Sequence, residues 1–172
     1  MGCLDVEHMK LEWITKNDYS LFESIFSDQK MMAQLGGPLN PEQIKSLHER
    51  SVTSIASGKA WHFKIFDTST TVSVGIVGIW EKQYAAANIN EIGWMILPGF
   101  QGRGAATWGA TQVIAKAKKE AKFEEVHAFP PTTNVPSNII CEKLGFRKVK
   151  EVNFDYQGRS LRCLHWVLDL TE

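Results

Sequence analysis

The chain has 172 residues, of which 44% are hydrophobic and 22% are charged, a composition typical of one globular domain with its own core. Its 19 basic and 19 acidic side chains give a formal net charge of zero, which argues against binding to nucleic acid or to an anionic membrane surface. The three cysteines and five histidines are too scattered for a disulfide framework or a metal site, so we expect no metal.

The first ten residues, MGCLDVEHMK, lack the apolar core of a signal peptide. Gly2 and Cys3 raise the question of lipidation, but Val6 stands where the myristoylation pattern has Ser or Thr. No apolar run approaches the roughly 20 residues of a membrane span. We therefore expect a reduced, cytoplasmic protein in which residues 1–172 form a single domain.

Taken in chain order, the first predicted elements are one strand and two helices. Alternation predicts a strand over 11–15, and the apolar spacing between 21 and 26 predicts a helix with Asn17 or Asp18 as its N-cap. Asn40-Pro41 opens a second helix that runs to about Gly58. By analogy with other small domains, we expect these two helices to form a movable wall over a cleft.

Strands are predicted next at 61–66, 72–79 and 89–97, and the last of these is expected to be central because it is almost continuously apolar. A short strand follows at 125–129, then a helix that ends at Gly145 in a left-handed turn. Two strands, 147–156 and 160–170, are joined by a turn at Gly158. The helix after residue 104 is expected to bury Ala110, Val113, Ile114, Ala117 and Ala121 and to expose Lys116, Lys118, Lys119 and Lys122.

A glycine-rich turn, LPGFQGRGAATWGA at 97–110, joins the central strand to that helix. Its main-chain N–H groups carry little side-chain cover and lie at the positive end of a helix dipole, which favours an anion, above all a phosphate. A dinucleotide fingerprint is not matched, because Thr107 holds its third glycine position, and no G-K-[ST] follows for a triphosphate loop. A plain strand–helix connection and a nucleotide-binding α/β protein stay open as alternatives.

Two motifs carry a resemblance to a known family. Residues 101–106, Gln-Gly-Arg-Gly-Ala-Ala, match Q/R-x-x-G-x-G/A, the acyl-CoA pyrophosphate loop of the GNAT superfamily of N-acetyltransferases. Residues 134–146 match that family's later motif, N-x-x-S-x-x-x-x-E-K-L-G-F. Over about 88–150 the chain looks most like the RimJ/RimL-like branch, which acetylates the N-termini of ribosomal proteins.

The resemblance implies a single α/β (α+β) domain with a central mixed, mostly antiparallel sheet of about six to seven strands. This sheet is splayed at its middle and has helices on both faces. It also implies acetyl-CoA as co-substrate, no metal, an acceptor amine on a protein N-terminus or a small molecule, and a monomer or homodimer. A non-catalytic acyl-CoA-binding regulatory module is the alternative, because it would share the same glycine turn.

The resemblance places coenzyme A along one set of residues. Pantetheine would pair like an extra strand with 95–97, the pyrophosphate would lie on the glycine turn, and the last helix would contact the arm and the thiol. The implied cofactor-binding residues are Met95, Ile96, Leu97, Gln101, Gly102, Arg103, Gly104, Ala105, Ala106, Asn134, Ser137 and Cys141.

Some of these residues have competing structural roles. Arg103 is equally a solvated loop charge, and Asn134 and Ser137 are equally helix caps. Cys141 stands where many GNAT enzymes have the tyrosine that protonates the leaving thiolate, and a buried cysteine is commonly a core residue. We therefore assign the thiol contact to Ser137.

Acetyl transfer needs a neutral amine. At pH 7 about one lysine amine in 2,500 is neutral, against about one α-amine in seven. Glu91 is the predicted general base, and it alternates with Gly93 and Met95 on the strand face opposite to Ile92 and Trp94. A carboxylate in an apolar strand is costly unless it has a partner or a use; the alternative is a strand-start glutamate that faces solvent or pairs with a lysine. His127 is the second candidate base, and a main-chain N–H near Ile96 is the predicted oxyanion donor.

Two stretches are candidates for the wall of the pocket that would bind the acceptor amine. Trp80 and Tyr84 border the stretch EKQYAAAN at 81–88, predicted as a loop, and MMAQLGGPL at 31–39 offers adaptable methionines. Four other tryptophans are assigned to core packing: Trp61, Trp94, Trp108 and Trp166.

Overall fold

Seven strands form one sheet in residues 5–171, the part of the chain that the structure, a computed structural model, describes. Gly2 and Cys3, the residues considered for lipidation, lie outside the described residues. The strands are β1 (Met9–Trp13), β2 (Ala60–Asp67), β3 (Val72–Tyr84), β4 (Ala87–Ile96), β5 (Glu125–Ala128), β6 (Arg147–Tyr156) and β7 (Arg159–Asp169). Their order is β1-β2-β3-β4-β5-β7-β6, with β4 in the central position, as predicted.

Five α-helices flank the sheet within the described residues: α1 (Tyr19–Phe26), α2 (Gln29–Met32), α3 (Pro41–Ala56), α4 (Ala105–Glu120) and α5 (Val135–Lys143). Helix α4 packs on β3 and β4, while α3 packs on β2 from the other side and α1 packs on α3. All strand pairs are antiparallel except β4 with β5. The expected α/β domain with a mixed, mostly antiparallel sheet and helices on both faces is confirmed. No helix among the described residues is both long and apolar enough to cross a membrane.

The front of the chain differs from the prediction in two places. Strand β1 ends at Trp13 rather than at residue 15, because Thr15 instead forms a capping box with Asp18 that opens a 3-10 turn. A further helix, α2, follows α1 and is capped by Asp28. The second predicted helix is confirmed, since Asn40 caps it reciprocally with Gln43.

The predicted loop at 81–88 is wrong. Strands β3 and β4 continue through it, pairing up to Tyr84 with Ala87. The two residues of the turn, Ala85 and Ala86, both have positive φ (47° and 65°), which is the geometry of a tight hairpin. Such turns ordinarily use Asn or Gly, so the Ala-Ala pair gave no turn signal. Trp80 therefore lies within the sheet.

Two details of the later helices also differ. Ala121, predicted to be buried, is exposed because it is the left-handed C-cap of α4, with φ 48°. Lys116, predicted to be exposed, is partly buried with its Nζ over the Trp61 ring. Helix α5 begins at Val135 and ends at Lys143. The predicted left-handed turn at Gly145 (φ 83°) is confirmed.

Strand β4 presents its two faces to two different apolar clusters. Ile92, Trp94 and Ile96 pack in the cluster beneath α4, whereas Met95 and Leu97 pack in the cluster beneath α1 and α3. Because side chains alternate along a strand, Glu91 projects on the side of α1 and α3. The predicted alternation of Glu91 with Gly93 and Met95 is therefore confirmed.

Candidate active site

The centre of the sheet contains a gap between β4 and β5. These parallel neighbours pair at Glu91 with His127, and no further pairing joins them in the described residues. The N–H of Leu97 donates to Val74 of β3 at 2.9 Å, and main-chain groups alternate in direction along a strand. The N–H groups of Trp94 and Ile96 therefore point away from β3, into the gap.

The glycine turn closes one end of this gap. Gly102 and Gly104 both have left-handed φ (70° and 89°), and Gly104 is the N-cap of α4 with no side-chain cap. A Cβ added at Gly99, Gly102 or Gly104 would meet nothing within 4 Å. The first N–H groups of α4 thus lie behind open space, which is the geometry for binding an anion. Arg103 is partly buried in the same turn.

Gln101 connects the turn to β4. Its Nε2 donates to the Ile96 carbonyl at 2.8 Å and lies 3.2 Å from the Met31 sulfur. Ala105 is buried and Ala106 partly buried, so the small side chains beside the helix start keep it close to the sheet. The predicted cofactor residues 95–97 and 101–106 are therefore adjacent.

Glu91 is partly buried and is held by a tryptophan. The indole Nε1 of Trp80 donates to Glu91 Oε2 at 3.0 Å. Burial raises the pKa of Glu91 to about 7, against the opposing effects of the Lys82 charge and the Trp80 hydrogen bond. A carboxyl group with this pKa is poised to exchange protons near neutral pH. The alternative of a solvent-facing glutamate does not fit this environment.

A glycine makes room for that tryptophan. A Cβ on Gly93 would lie 2.7 Å from Trp80 Cη2, so the indole rests directly on the bare backbone of Gly93. The indole also stacks on His62, with 5.6 Å between the ring centroids. Sequence reasoning missed this use of Trp80, because the predicted loop removed it from the sheet.

The charge of Glu91 affects the pKa of two further groups on the far side of the gap, Tyr156 and Cys163. The pKa of Tyr156 is raised by burial and, to a lesser extent, by the negative charge of Glu91. The same two causes raise the pKa of Cys163 to about 11. Tyr156 packs against the same apolar cluster as Met95 and Leu97. No sequence signal identified Tyr156, since only the fold of the sheet brings it within range of the Glu91 charge.

Helix α5 begins with a defined cap. Asn134 Oδ1 accepts a hydrogen bond from the Ser137 N–H at 3.2 Å, so Asn134 has the capping role that was its alternative. The Ser137 side chain does not serve as the cap, and its hydroxyl has no hydrogen-bond partner among residues 5–171. Cys141 is 0% exposed and packs in the core, and burial raises its pKa to about 12. In this position it offers no surface to a cofactor.

His127, the second candidate base, has both ring nitrogens engaged. Nδ1 lies 2.9 Å from His165 Nε2, and Nε2 lies 3.0 Å from Glu125 Oε1. Burial, followed by the charge of His127, lowers the pKa of His165 to about 4. Both imidazoles are buried, so this pair is less available to an amine than Glu91.

Comparisons with known proteins agree with this geometry. The family model described as acetyltransferase (GNAT) domain matches residues 8–147. An uncharacterized N-acetyltransferase of Bacillus subtilis (strain 168), YnaD, is 29% identical over 66 residues. That match covers 38% of this chain and 39% of the relative, so the chain spans well under half of that protein's length in the alignment.

Solved structures share the fold over nearly the whole chain. A spermidine N-acetyltransferase from Vibrio cholerae, in complex with CoA and spermine, has a TM-score of 0.78 at 16% identity and covers 96% of this chain and 97% of its own. An acetyltransferase from Salmonella typhimurium that modifies the N-terminal serine of ribosomal protein L7/L12 has a TM-score of 0.76 at 13% identity, with coverages of 94% and 95%. The splayed sheet, the uncapped glycine turn and the family match lead to one conclusion: the chain belongs to the GNAT acetyltransferase domain family.

Proposed function

We propose that this protein is an acetyl-CoA-dependent N-acetyltransferase that transfers the acetyl group directly to a primary amine. The observation that carries the proposal is Glu91, a carboxyl group with its pKa raised to about 7 and held by Trp80 at the β4–β5 gap. Direct transfer needs no protein nucleophile. It needs a base near the amine and donors near the thioester oxygen.

The residues present fit coenzyme A. The open space over Gly102 and Gly104 and the uncapped start of α4 suit a pyrophosphate, with Arg103, Ala105 and Ala106 beside it. At the 95–97 end of β4, the Ile96 N–H points into the gap and suits an amide-bearing arm lying along Met95, Ile96 and Leu97. Asn134, the N-cap of α5, and Ser137 in its first turn complete the proposed binding residues, whereas Cys141 packs in the core and is not one of them.

The chain's residues divide the chemistry between them. When bound, acetyl-CoA supplies the acetyl group as an activated thioester. Glu91 accepts the amine proton, and the Trp80 N–H keeps its carboxylate oriented. The Ile96 N–H, directed into the gap, is placed to donate to the developing oxyanion. The C–S bond breaks as the amide forms, and the Ser137 hydroxyl, which is not used as a cap, would donate a hydrogen bond to the departing CoA thiolate, which leaves as the free thiol after taking up a proton.

The basicity of Glu91 favours one class of acceptor. A carboxylate with a pKa of about 7 matches an α-amine, which ionises near 7.8, far better than a lysine amine near 10.4. The acceptor class we favour is therefore an α-amine on a protein N-terminus, as in the RimJ/RimL-like branch, with a small-molecule amine as the other candidate. A monomer or a homodimer would serve this chemistry equally.

Thiol release from acetyl-CoA, measured with a panel of peptide N-termini, polyamines and lysine peptides, tests the proposal. CoA binding is measured in parallel by calorimetry. Amine-dependent thiol release supports the enzyme, whereas CoA binding without release by any amine would favour a non-catalytic acyl-CoA-binding module. Preference for NAD or ATP over CoA in a thermal-shift comparison would contradict both.

Replacing Trp80 with Phe is expected to move the acid limb of kcat/KM to higher pH. The Trp80 hydrogen bond lowers the pKa of Glu91, so without it the carboxyl ionises later and activity at pH 7 falls several-fold while activity at pH 9 largely recovers. The pH profile of thiol release measures this. Trp13→Phe, at an exposed tryptophan of β1, is the matched control, and an unshifted profile in W80F would remove Trp80 from the mechanism.

A further inference from the structure

Residues 31–38, here called the crossing segment, pass from the glycine turn to the far side of the gap. At one end the Met31 sulfur lies 3.2 Å from Gln101 Nε2. Near the middle, Gln34 Oε1 accepts from the Thr133 hydroxyl at 3.4 Å. Met31 and Leu35 pack on the apolar cluster that also receives Met95, Leu97 and Tyr156. The segment therefore lies on the side of the sheet from which Glu91 projects.

The far end of the crossing segment is fastened by one arginine. Arg159, the first residue of β7, donates through Nη1 to the carbonyls of Leu35 (3.1 Å) and Gly37, and through Nη2 to that of Pro38 (3.1 Å). Arg159 is partly buried, and within residues 5–171 it forms no ion pair and has main-chain carbonyls as its hydrogen-bond partners. A guanidinium presents donors from two terminal nitrogens in a rigid planar fork, whereas a lysine ammonium donates from a single nitrogen.

The backbone of the segment is shaped around this side chain. Gly36 and Gly37 both have positive φ, 88° and 94°, which bends the chain so that its carbonyls turn toward the guanidinium. A Cβ on Gly36 would lie 2.5 Å from Arg159 Cδ. The glycine pair therefore serves this contact, because any larger residue at 36 would both strain the backbone and displace the arginine.

The first part of the segment is anchored by the fully buried Met32 side chain and by the Met31 N–H, which donates to Asp28 Oδ1 at 2.7 Å, whereas its last part has few other anchors. The Gly37 N–H donates to the Met32 carbonyl and the Leu39 N–H to that of Phe26, both at 2.8 Å. Met31 and Met32 end helix α2 and Ala33–Leu35 form a 3-10 turn, so residues 36–38 are the part of the segment without regular structure. A stretch with few main-chain hydrogen bonds opens at low free-energy cost, so one side chain that binds three carbonyls has a large share in holding it closed.

We propose that Arg159 is a positioning residue that holds the crossing segment closed over the acceptor side of the gap. The inference rests on the proposed function, because it assigns the segment to the amine that Glu91 deprotonates. Arg159 acts through the segment and touches no reacting atom. Its loss leaves the cofactor turn and Glu91 in place but lets the acceptor wall move.

The test compares Arg159→Gln with Arg162→Gln, a control on the same strand whose arginine pairs with Glu151 at the surface. In R159Q the acceptor KM is expected to rise about tenfold, with kcat and the Kd of CoA within about twofold of the parent protein. Hydrogen exchange at the Gly37 and Leu39 amides is expected to become about tenfold faster. R162Q should change none of these, and Arg159→Lys should recover only part of the loss.

Gly36→Ala gives a second route to the same state with Arg159 intact, and we expect it to raise the acceptor KM and the exchange rates in the same way. Equal exchange at Gly37 and Leu39 in R159Q and R162Q would overturn the proposal, and so would a kcat loss at unchanged KM. Hydrogen exchange needs no turnover, so failure of the Arg159 proposal can be distinguished from failure of the proposed function. If the proposed function fails, the parent protein releases no thiol with any amine, and the segment then has no acceptor to position.

Discussion

The Glu91→Gln variant is expected to have a kcat/KM for acetyl transfer at least tenfold below that of the parent protein, with an unchanged Kd for CoA. A positioned general base contributes about 10²- to 10⁴-fold in rate, and an α-amine acceptor that is already partly neutral needs the lower part of that range. Glutamine keeps an oxygen for the Trp80 N–H but cannot accept the amine proton. Thiol-release kinetics and calorimetry with CoA measure the two quantities.

The pH dependence separates the base from the amine. Only ionised Glu91 accepts a proton, and its pKa is about 7, so kcat/KM of the parent should fall as pH drops below 7. The acceptor's own deprotonation, with a pKa near 7.8 for an α-amine, adds a second rise in kcat/KM with pH. In E91Q the rise near 7 should vanish and the amine's rise should stay. A parent-like profile, or unchanged turnover, would remove Glu91 from the mechanism.

Folding stability supplies the control for E91Q. Burial raises the pKa of Glu91 from 4.5 to about 7, so the folded state binds this proton more tightly than the unfolded state. The contribution of this group to folding stability is fully present below pH 4.5 and is lost as the pH rises to about 7. The loss lowers the free energy of unfolding by at most about 3 kcal/mol. E91Q should therefore be more stable than the parent at pH 8 and equally stable at pH 4. An inactive variant that is also destabilised at pH 8 would point to misfolding instead.

The second large effect is expected at the glycine turn. Gly104→Asp places a carboxylate beside the uncapped amides of α4, in a left-handed conformation (φ 89°) that Asp and Asn tolerate best among residues with side chains. Repulsion between unit charges about 4 Å apart ranges from ~1 kcal/mol in water to ~4 kcal/mol near a protein surface. A pyrophosphate carries more than one charge, so the Kd of CoA should rise by at least tenfold.

Gly104→Asn is the matched control, because it has the same shape without the charge. Its Kd should rise much less than that of G104D, and added salt should narrow the difference between the two variants. Calorimetry with CoA at two salt concentrations measures both. Equal losses in G104D and G104N would indicate that bulk at this position matters and that charge does not. An unchanged Kd in both would place the pyrophosphate elsewhere.

Most of the fold could be predicted because it depends on local patterns. Alternation and apolar runs located the strands, Asn40 with Pro41 located the start of α3, and Gly145 located the end of α5. The errors occurred where a local signal was absent. The turn at Ala85 and Ala86 uses left-handed alanines, which no turn preference predicts, so the β3–β4 hairpin was underestimated by several residues.

The sequence by itself determined the glycine turn, the face of β4 on which Glu91 lies, and the family. These follow from residue types at fixed spacings along one segment. Only the tertiary structure decided the contacts of the site: Trp80 binds Glu91 through the space over Gly93, the Glu91 charge acts on Tyr156, and Arg159 binds the crossing segment. The physical reason is that burial, which raises the pKa of Glu91, comes from residues distant in the chain, and no local spacing encodes which of them meet.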